Sequence, residues 1–513
     1  MFVTIQTGDE SGGDPVECDY VVVGAGTAGS VLAARLSEDA DARVVLLEAG
    51  GTGPSEFVSD PPAWPRLLGT SRDWGERTTG QASTGTSIPL ARGRGLGGSS
   101  AINAMVFTRG HRSSYDAWAA KGWSFDDLLP YLKRSERAPG RDARWRGRRG
   151  PLRVAPAAEP NPVLEACVEA AVEAGHRRAA DISSGVEEGF GWPDLNIVDG
   201  RRQSAADAYL APASGRGNLR VMTDTPVRRV LIERGRCVGV VCTVGGEQVT
   251  VRATREVVLA AGAIGTPHLL MLSGVGPHRH LREAGVEVAH DLPGVGSNLQ
   301  DHVMAGLVYA PARPIPTSRN NHGEALGLLR GPDARTGPDL QIIFVDVPSH
   351  SPALGGPPRG YTIRVSLMRP RSRGTVRLAS ASPASPPVID PGYYSDARDL
   401  TTMVAGLEAA REIGRARALD GWRGGEVLPG VDVRDTRALR AYLRAGLASY
   451  LHPAGTCAIG RDEGAVVDEE LRVHGIEGLR VADASVMPSI VSGNINATVY
   501  GIAERAAELI APA

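Results

Sequence analysis

Residues 19–50, DYVVVGAGTAGSVLAARLSEDADARVVLLEAG, constrain the fold more than any other stretch, because strand, glycine turn, helix, second strand and acid follow one another without interruption. Tyr20 to Val23 is a short apolar run suited to a buried parallel strand. Gly24, Gly26 and Gly29 come next at the GxGxxG spacing. In that motif the first glycine permits a tight turn, the second lets backbone N–H groups reach a pyrophosphate, and the third lets the helix pack closely on the strand. Val44 to Leu47 reads as the next strand and runs into Glu48, 19 residues beyond Gly29. A carboxylate at that place accepts hydrogen bonds from a ribose and repels a 2′-phosphate. In a chain with 64 glycines a bare GxGxxG carries little weight. Set between strand and helix, with its acid in place, it predicts a bound dinucleotide.

Bulk properties narrow the setting. At 513 residues the chain can hold two domains, or one large domain with a cap. Five cysteines, Cys18, Cys167, Cys237, Cys242 and Cys457, form neither a CxxC nor a zinc-like cluster, so neither a disulfide framework nor a structural metal is expected. Met1 to Glu17 is polar and acidic, without the basic start and apolar core of a secretion signal, and no run of about eighteen apolar residues exists to span a bilayer. A cytoplasmic protein with no membrane span is the expectation. A net charge of −2 gives no reason to expect nucleic acid as a partner. One local basic run stands out, Arg141 to Arg153, with six arginines. It reads as a solvated surface loop, and the sharper alternatives are a contact for an acidic substrate or for an electron-accepting partner.

No internal repeat or low-complexity tract is present, so function must come from sites. EVVLAAGAI (256–264) and GLRVADASVMP (478–488) read as two more buried strands running into small-residue turns. With Tyr20 to Val23 they predict one parallel sheet assembled from distant segments, with its ligand at the strands' carboxyl ends. Segments 136–200 and 305–435 differ in character, and in the second GPDLQIIFVDV and RGTVRLAS look like half-buried antiparallel strands. They predict a second layer facing the substrate. The final segment, GNINATVYGIAERAAELIAPA, predicts a helix that starts near Asn494 and Asn496 and points its positive end at the nucleotide site.

GRGLGGSSAINAMVFTRG (93–110) is a second glycine- and serine-rich stretch, which lets backbone amides touch a large planar ligand along an edge. This segment resembles the first signature of the glucose-methanol-choline (GMC) oxidoreductases, FAD-dependent alcohol oxidases and dehydrogenases. GAIGTPHLLMLSGVG (262–276), LPGVGSNLQDH (292–302), LHPAGTC (451–457) and VADASVMPSIVSGNINATVYGIAERAAELI (481–510) resemble the remaining blocks in order, so the likeness covers nearly the whole chain. It implies an α/β fold, with a Rossmann-like FAD-binding domain from 15–135, 200–305 and 440–513. A discontinuous substrate-binding domain built on an antiparallel sheet would come from 136–199 and 306–439.

The resemblance also implies roles for residues. Gly24, Gly26, Gly29 and Glu48 would hold the ADP half, Val227 would meet the adenine through its backbone, and Asp483 would sit near the ribityl chain and pyrophosphate. Gly97, Gly98, Ser99, Ser100, Asn103 and Ala104 would line the flavin. Thr27, Ala28, Ala49, Arg92, Met105, Val106, Ala261, Gly262 and Ala484 belong to the same blocks and are placed with the cofactor. Some relatives bond the flavin covalently through a histidine two residues after the second serine of the loop. Ile102 stands there, so FAD held non-covalently is expected.

For catalysis the resemblance points to His452, in HPAGTC, and to Asn496, 44 residues later. Oxidising an alcohol requires removing the hydroxyl proton and passing a hydride to flavin N5, so one group must take the proton while another fixes the oxygen. Histidine has the pKa for the first task near neutrality. A carboxamide can hold the alkoxide without taking its proton. Glu324 falls where some relatives place a carboxylate that attracts a cationic alcohol. His350, Tyr450 and Leu451 are further candidates for the substrate pocket. The expected reaction converts a small or medium alcohol to an aldehyde or ketone, with electrons passed to oxygen or another acceptor, by a monomer or homodimer. The alternative is a flavoenzyme of the same build without net redox chemistry, such as a hydroxynitrile lyase or photodecarboxylase.

Overall fold

The computed structural model of the protein describes residues 16–52, 56–351 and 354–511. Met1 to Pro15, most of the stretch read for a secretion signal, lie outside the described residues. Two seven-stranded sheets organise the molecule. The first has a parallel half, in which Leu219–Met222, Val44–Leu47, Val16–Val23 and Glu247–Leu259 lie side by side. The long strand Glu247–Leu259 carries two loads. Its first half pairs with the antiparallel meander Arg236–Val244 and Val227–Glu233, and its second half pairs in parallel with Leu479–Val481. The three apolar strands expected to share one sheet are therefore neighbours. Val21, Val22, Val257 and Val258 have no exposed surface, consistent with strands covered on both faces.

The second sheet is antiparallel, in the order Arg423–Leu428, Val303–Pro311, Tyr361–Leu367, Leu340–Val345, Ala325–Leu329 and Gly189–Gly191, with Ala448–Ser449 against the start of the second strand. The boundary expected at 305/306 thus falls inside the strand Val303–Pro311. Alternation of side chains gives this sheet two chemistries. Val303, Ala305, Leu307, Ile342, Phe344, Ile363 and Val365 face a core shared with the helices Pro162–Glu173 and Ala397–Arg415. The alternate positions face the other way.

Two expectations need correcting. RGTVRLAS does not join this sheet: Thr375–Arg377 pairs only with Val388–Asp390, and Val376, Leu378 and Ile389 pack into the core of the nucleotide-binding half. Its alternating pattern fitted a half-buried strand but could not say which core it covers. The basic run is not simply a solvated loop either. Arg146 is buried and bonds Glu136, Asp181 and Asp194, while Arg141 reaches Asp194 and the carbonyl of Ala180. Arg109 adds a second buried guanidinium on Glu136. Only Arg144, Arg148, Arg149 and Arg153 of the run are exposed. Removing one member of such a buried network costs about 3–5 kcal/mol, because its partners lose their compensation.

The last helix, Asn496–Ile510, begins where the asparagines predicted and packs beside the first helix, Thr27–Leu36. Glu504, buried in its middle, bonds Arg35 and Tyr209 and fixes the two helices together. No described helix is long and apolar enough to cross a membrane.

Candidate active site

One cavity of about 560 Å³ lies between the carboxyl ends of the parallel strands and the second face of the antiparallel sheet. Its floor is made of glycine turns. Gly24 has a left-handed backbone (φ +98°), and a Cβ on Gly29 would lie 1.7 Å from the Gly24 carbonyl oxygen, so helix and strand can approach only because no side chain intervenes. Gly26 is different. A Cβ there meets nothing within 4 Å, because the residue opens onto the cavity. It is also the N-cap of the first helix, with no side-chain cap and no acid in the first turn. The amides at that end lack acceptors, and a pyrophosphate would provide them.

Around this turn the structure gathers most of the expected cofactor residues. Gly24, Gly26, Thr27, Ala28, Glu48 and Ala49 line the cavity. So do Arg92, Gly98, Ser99, Asn103, Ala104, Met105 and Val106 from the second glycine segment, and Val227, Ala261, Gly262, Asp483 and Ala484 from later strands. Three do not line it: Gly29, Gly97 and Ser100 act behind the surface. The Ser100 hydroxyl donates to the Gly97 carbonyl (2.6 Å) and accepts from the Ala205 amide (2.9 Å), which fixes the bend of the loop. Ile102 lines the cavity with an aliphatic side chain, which offers no atom for a covalent bond to a ring.

The two buried acids hold more than a ligand. Glu48 accepts from the amides of Ala25 (2.8 Å), Gly50 (2.9 Å) and Gly95 (2.9 Å), joining both glycine segments. Asp483 accepts from the Gly262 amide (2.9 Å), the Thr266 hydroxyl (2.6 Å) and the Ser485 amide (2.8 Å). Burial pushes both carboxyls above their usual range, and the donated bonds oppose that.

At the other end of the cavity His452, Tyr450, Leu451 and Asn496 converge. Tyr450 stacks on the His452 ring with centroids 4.4 Å apart, and its hydroxyl donates to Gln341 (2.8 Å). Leu451 takes a left-handed backbone (φ +63°) that turns its neighbour inward. Asn496 Oδ1 accepts from the Thr27 hydroxyl (2.8 Å), and its NH2 end has no hydrogen-bond partner among the described residues.

Sequence reasoning missed the support behind His452. Residues 300–302, the Gln-Asp-His of the NLQDH block, each grip its loop. Gln300 exchanges backbone bonds with Ala454, and Asp301 accepts from the His452 amide (2.8 Å). His302 Nδ1 lies 2.9 Å from His452 Nδ1, and its Nε2 lies 3.1 Å from the Met368 carbonyl oxygen. Burial pushes His302 down to about 3 and Asp301 up to about 6. His452 is lowered well below its ordinary value by burial and then by His302. The block was legible as a signature, but nothing in it says which atom it touches.

Glu324 and His350 are not brought to the cavity. The Glu324 carboxylate is 1% exposed and accepts from the Asn161 amide (2.8 Å) and the Asn320 side chain (3.0 Å). Asn161 is the N-cap of Pro162–Glu173, so the acid serves a helix start, where negative charge is favourable. His350 Nδ1 lies 3.0 Å from the Ser351 carbonyl, while its neighbour Ser349 reaches the cavity.

A dinucleotide floor under an antiparallel roof, with a histidine and an asparagine both lining the cavity between them, is the plan of a flavin-dependent alcohol oxidoreductase. The chain belongs to the GMC oxidoreductase family, whose two parts match residues 18–304 and 370–503. Relatives named oxygen-dependent choline dehydrogenase, from Rhizobium etli and Sinorhizobium medicae, are 37% and 38% identical over 96% of both chains. Among solved structures, pyridoxine 4-oxidase from Mesorbium loti superposes with a TM-score of 0.93 at 39% identity, covering 96% of this chain and 98% of that one. A fungal aryl-alcohol oxidase gives 0.86 at 25% identity, with 96% and 98% covered. The protein is an FAD-dependent oxidoreductase acting on alcohol-type substrates.

Proposed function

We propose that His452 takes the hydroxyl proton of a small or medium alcohol on Nε2 while Asn496 holds the same oxygen, giving an aldehyde or ketone. The glycine turns around Gly24–Gly29 and Gly93–Ser100 would hold FAD, which would supply the two-electron acceptor for the hydride on the alcohol carbon. The observation that carries this reading is the chain Met368 carbonyl, His302, His452. A carbonyl only accepts, so His302 carries its proton on Nε2 and presents a lone pair at Nδ1. His452 must then donate from its own Nδ1, which leaves Nε2 unprotonated. That nitrogen has no hydrogen-bond partner among the described residues, and the ring lines the cavity.

The environment matches the task. Burial holds His452 in the neutral form at pH 7, so the proton acceptor is present before substrate arrives. A general base of this kind is worth roughly 10²- to 10⁴-fold in rate. Asn496 adds orientation: with its Oδ1 toward the Thr27 hydroxyl, its NH2 end can donate to the alkoxide. Tyr450, stacked on the imidazole, restricts the ring to one plane. Electrons leave to oxygen or another acceptor.

The test is anaerobic flavin bleaching across a panel of primary and secondary alcohols, with the holoenzyme. Bleaching by alcohols, with a rate that falls roughly 10²- to 10⁴-fold in His452→Ala, supports the reading. Cleavage of a cyanohydrin or a fatty acid without any bleaching would replace it with non-redox chemistry.

A further inference from the structure

Of the antiparallel-sheet residues that line the substrate end of the cavity, one is charged and the others are apolar. Met304, Ile343 and Val345 project from the face of the antiparallel sheet opposite its core, and Arg364 projects among them from the strand Tyr361–Leu367. Its cross-strand neighbours are Gly306 on one side and Ile343 on the other. Gly306 has no side chain to crowd it, and Ile343 cannot pair with it. Of the guanidinium donors, only Nη1 has a hydrogen-bond partner among the described residues, the Ser349 hydroxyl at 2.6 Å. Nε is buried with none. Among the described residues no carboxylate forms an ion pair with Arg364, although the structure pairs arginines with acids throughout, including Arg92 with Glu76 elsewhere in the same cavity. Burial lowers its pKa from the ordinary value, and the phenols facing it, Tyr450 and Tyr442, are themselves pushed up by burial and carry no charge near neutrality.

Nor does the rest of the substrate end supply negative charge. The acids lining the cavity, Glu48, Glu76 and Asp483, belong to its nucleotide end, where backbone amides or Arg92 occupy them. His322 is paired with Asp346, which stands outside the lining. Glu324, the carboxylate expected to draw in a cationic alcohol, is turned away and holds Asn161. A cation at a cavity wall without a counter-ion is poorly compensated, and the unpaired buried Nε adds to that cost. A ligand oxyanion would remove both. The guanidinium edge formed by Nε and Nη2 is planar and presents two parallel donors, the geometry that fits a carboxylate.

We propose that Arg364 is the substrate-recognition group of this cavity and that the preferred substrate is an alcohol bearing a carboxylate, with the CH–OH at His452 and the carboxylate against the free edge of the guanidinium. This inference rests on the alcohol-oxidising reading above and specifies its substrate class. It also separates this chain from relatives named for choline, a cation.

Two matched pairs test it in the holoenzyme under anaerobic stopped flow: 4-(hydroxymethyl)benzoate against 4-(hydroxymethyl)benzamide, and 4-hydroxybutyrate against 4-hydroxybutyramide, with choline as the cationic arm. In at least one pair the carboxylate should reduce the flavin with a rate constant over Kd roughly thirtyfold above its amide, the size of a hydrogen-bonded charge pair, and choline should be poorest; Arg364→Met should bring that ratio close to one, and Arg364→Lys should restore part of it. Benzoate, which has no alcohol to oxidise, is titrated separately against the flavin spectrum. Its Kd should rise at least tenfold in Arg364→Met. Equal ratios for acid and amide, a preference for choline, or a ratio unmoved in Arg364→Met would overturn the assignment while leaving the alcohol chemistry standing. If no alcohol bleaches the flavin yet benzoate binds in an Arg364-dependent way, the anion site stands and the oxidation reading falls. Benzoate binding that is absent or indifferent to Arg364 overturns the site itself.

Discussion

Floor and roof of the cavity are built on opposite principles. The floor, from Gly24 to Gly29 and Gly93 to Ser100, works by the absence of side chains, and its chemistry is that of backbone amides. The roof, from the strands Val303–Pro311, Leu340–Val345 and Tyr361–Leu367, works by which side chains alternate onto one face. A floor of that kind tolerates almost no addition and serves any ligand carrying the same pyrophosphate. A roof of that kind tolerates exchange of one side chain for another, and each exchange changes what is bound. Cofactor and substrate specificity are therefore separable in this molecule, which is the practical lesson of the contrast.

The sharpest way to break it is Gly29→Ala. The new methyl would sit 1.7 Å from the Gly24 carbonyl oxygen, backbone that cannot move without opening the turn. The variant should purify without the yellow absorbance and without activity, even at excess FAD. A yellow, active variant would show that the floor is more plastic than its geometry implies. His452→Ala comes next. It should keep its flavin, since the floor is untouched, and lose roughly 10²- to 10⁴-fold in the rate of anaerobic flavin reduction.

His302→Ala should act through its neighbour rather than directly, with a loss of roughly tenfold, in line with one removed hydrogen bond that fixes a tautomer. The pH profile distinguishes this from a structural defect. In the parent enzyme His452 is depressed by burial, so the neutral base persists as pH falls through 6.5, and the acid limb of flavin reduction should lie below the ordinary histidine range. Replacing the His302 ring by a methyl group opens space for water beside His452 and relieves part of the burial that depresses it, so the limb should move up toward 6.5. A limb that stays in place while the rate falls would reduce His302 to packing. The smallest effect is expected from Glu324→Gln. The carboxylate braces a helix start, so thermal stability should drop by about 1–3 kcal/mol, read as a lower melting temperature. The order of preference among anionic, neutral and cationic alcohols should not change.

Much of the nucleotide half was legible before any coordinates, and the reason is local. Val21 to Glu48 is one continuous unit whose period, glycines and acid sit within a few turns of each other, and the strand at 256–259 announces itself by being apolar throughout. The helix start at Asn496 was equally plain. In the substrate half the same kind of reading placed LQIIFV in a strand but sent RGTVRLAS to the wrong layer, because a two-residue period marks a half-covered strand without naming what covers it. Arg146 shows the same gap in reverse: six arginines in thirteen residues look solvated until Glu136, Asp181 and Asp194 arrive from elsewhere in the chain.

By itself the sequence determined that this chain builds a dinucleotide floor and carries a histidine and an asparagine at family spacing, since glycine spacing and strand period act over neighbours in the chain. The tertiary structure alone decided that His302 backs His452, that Glu324 faces a helix rather than the cavity, and that Arg364 has no acid beside it among the described residues. A tautomer or a counter-ion depends on groups meeting in space, and His302 and His452 meet across 150 residues of chain.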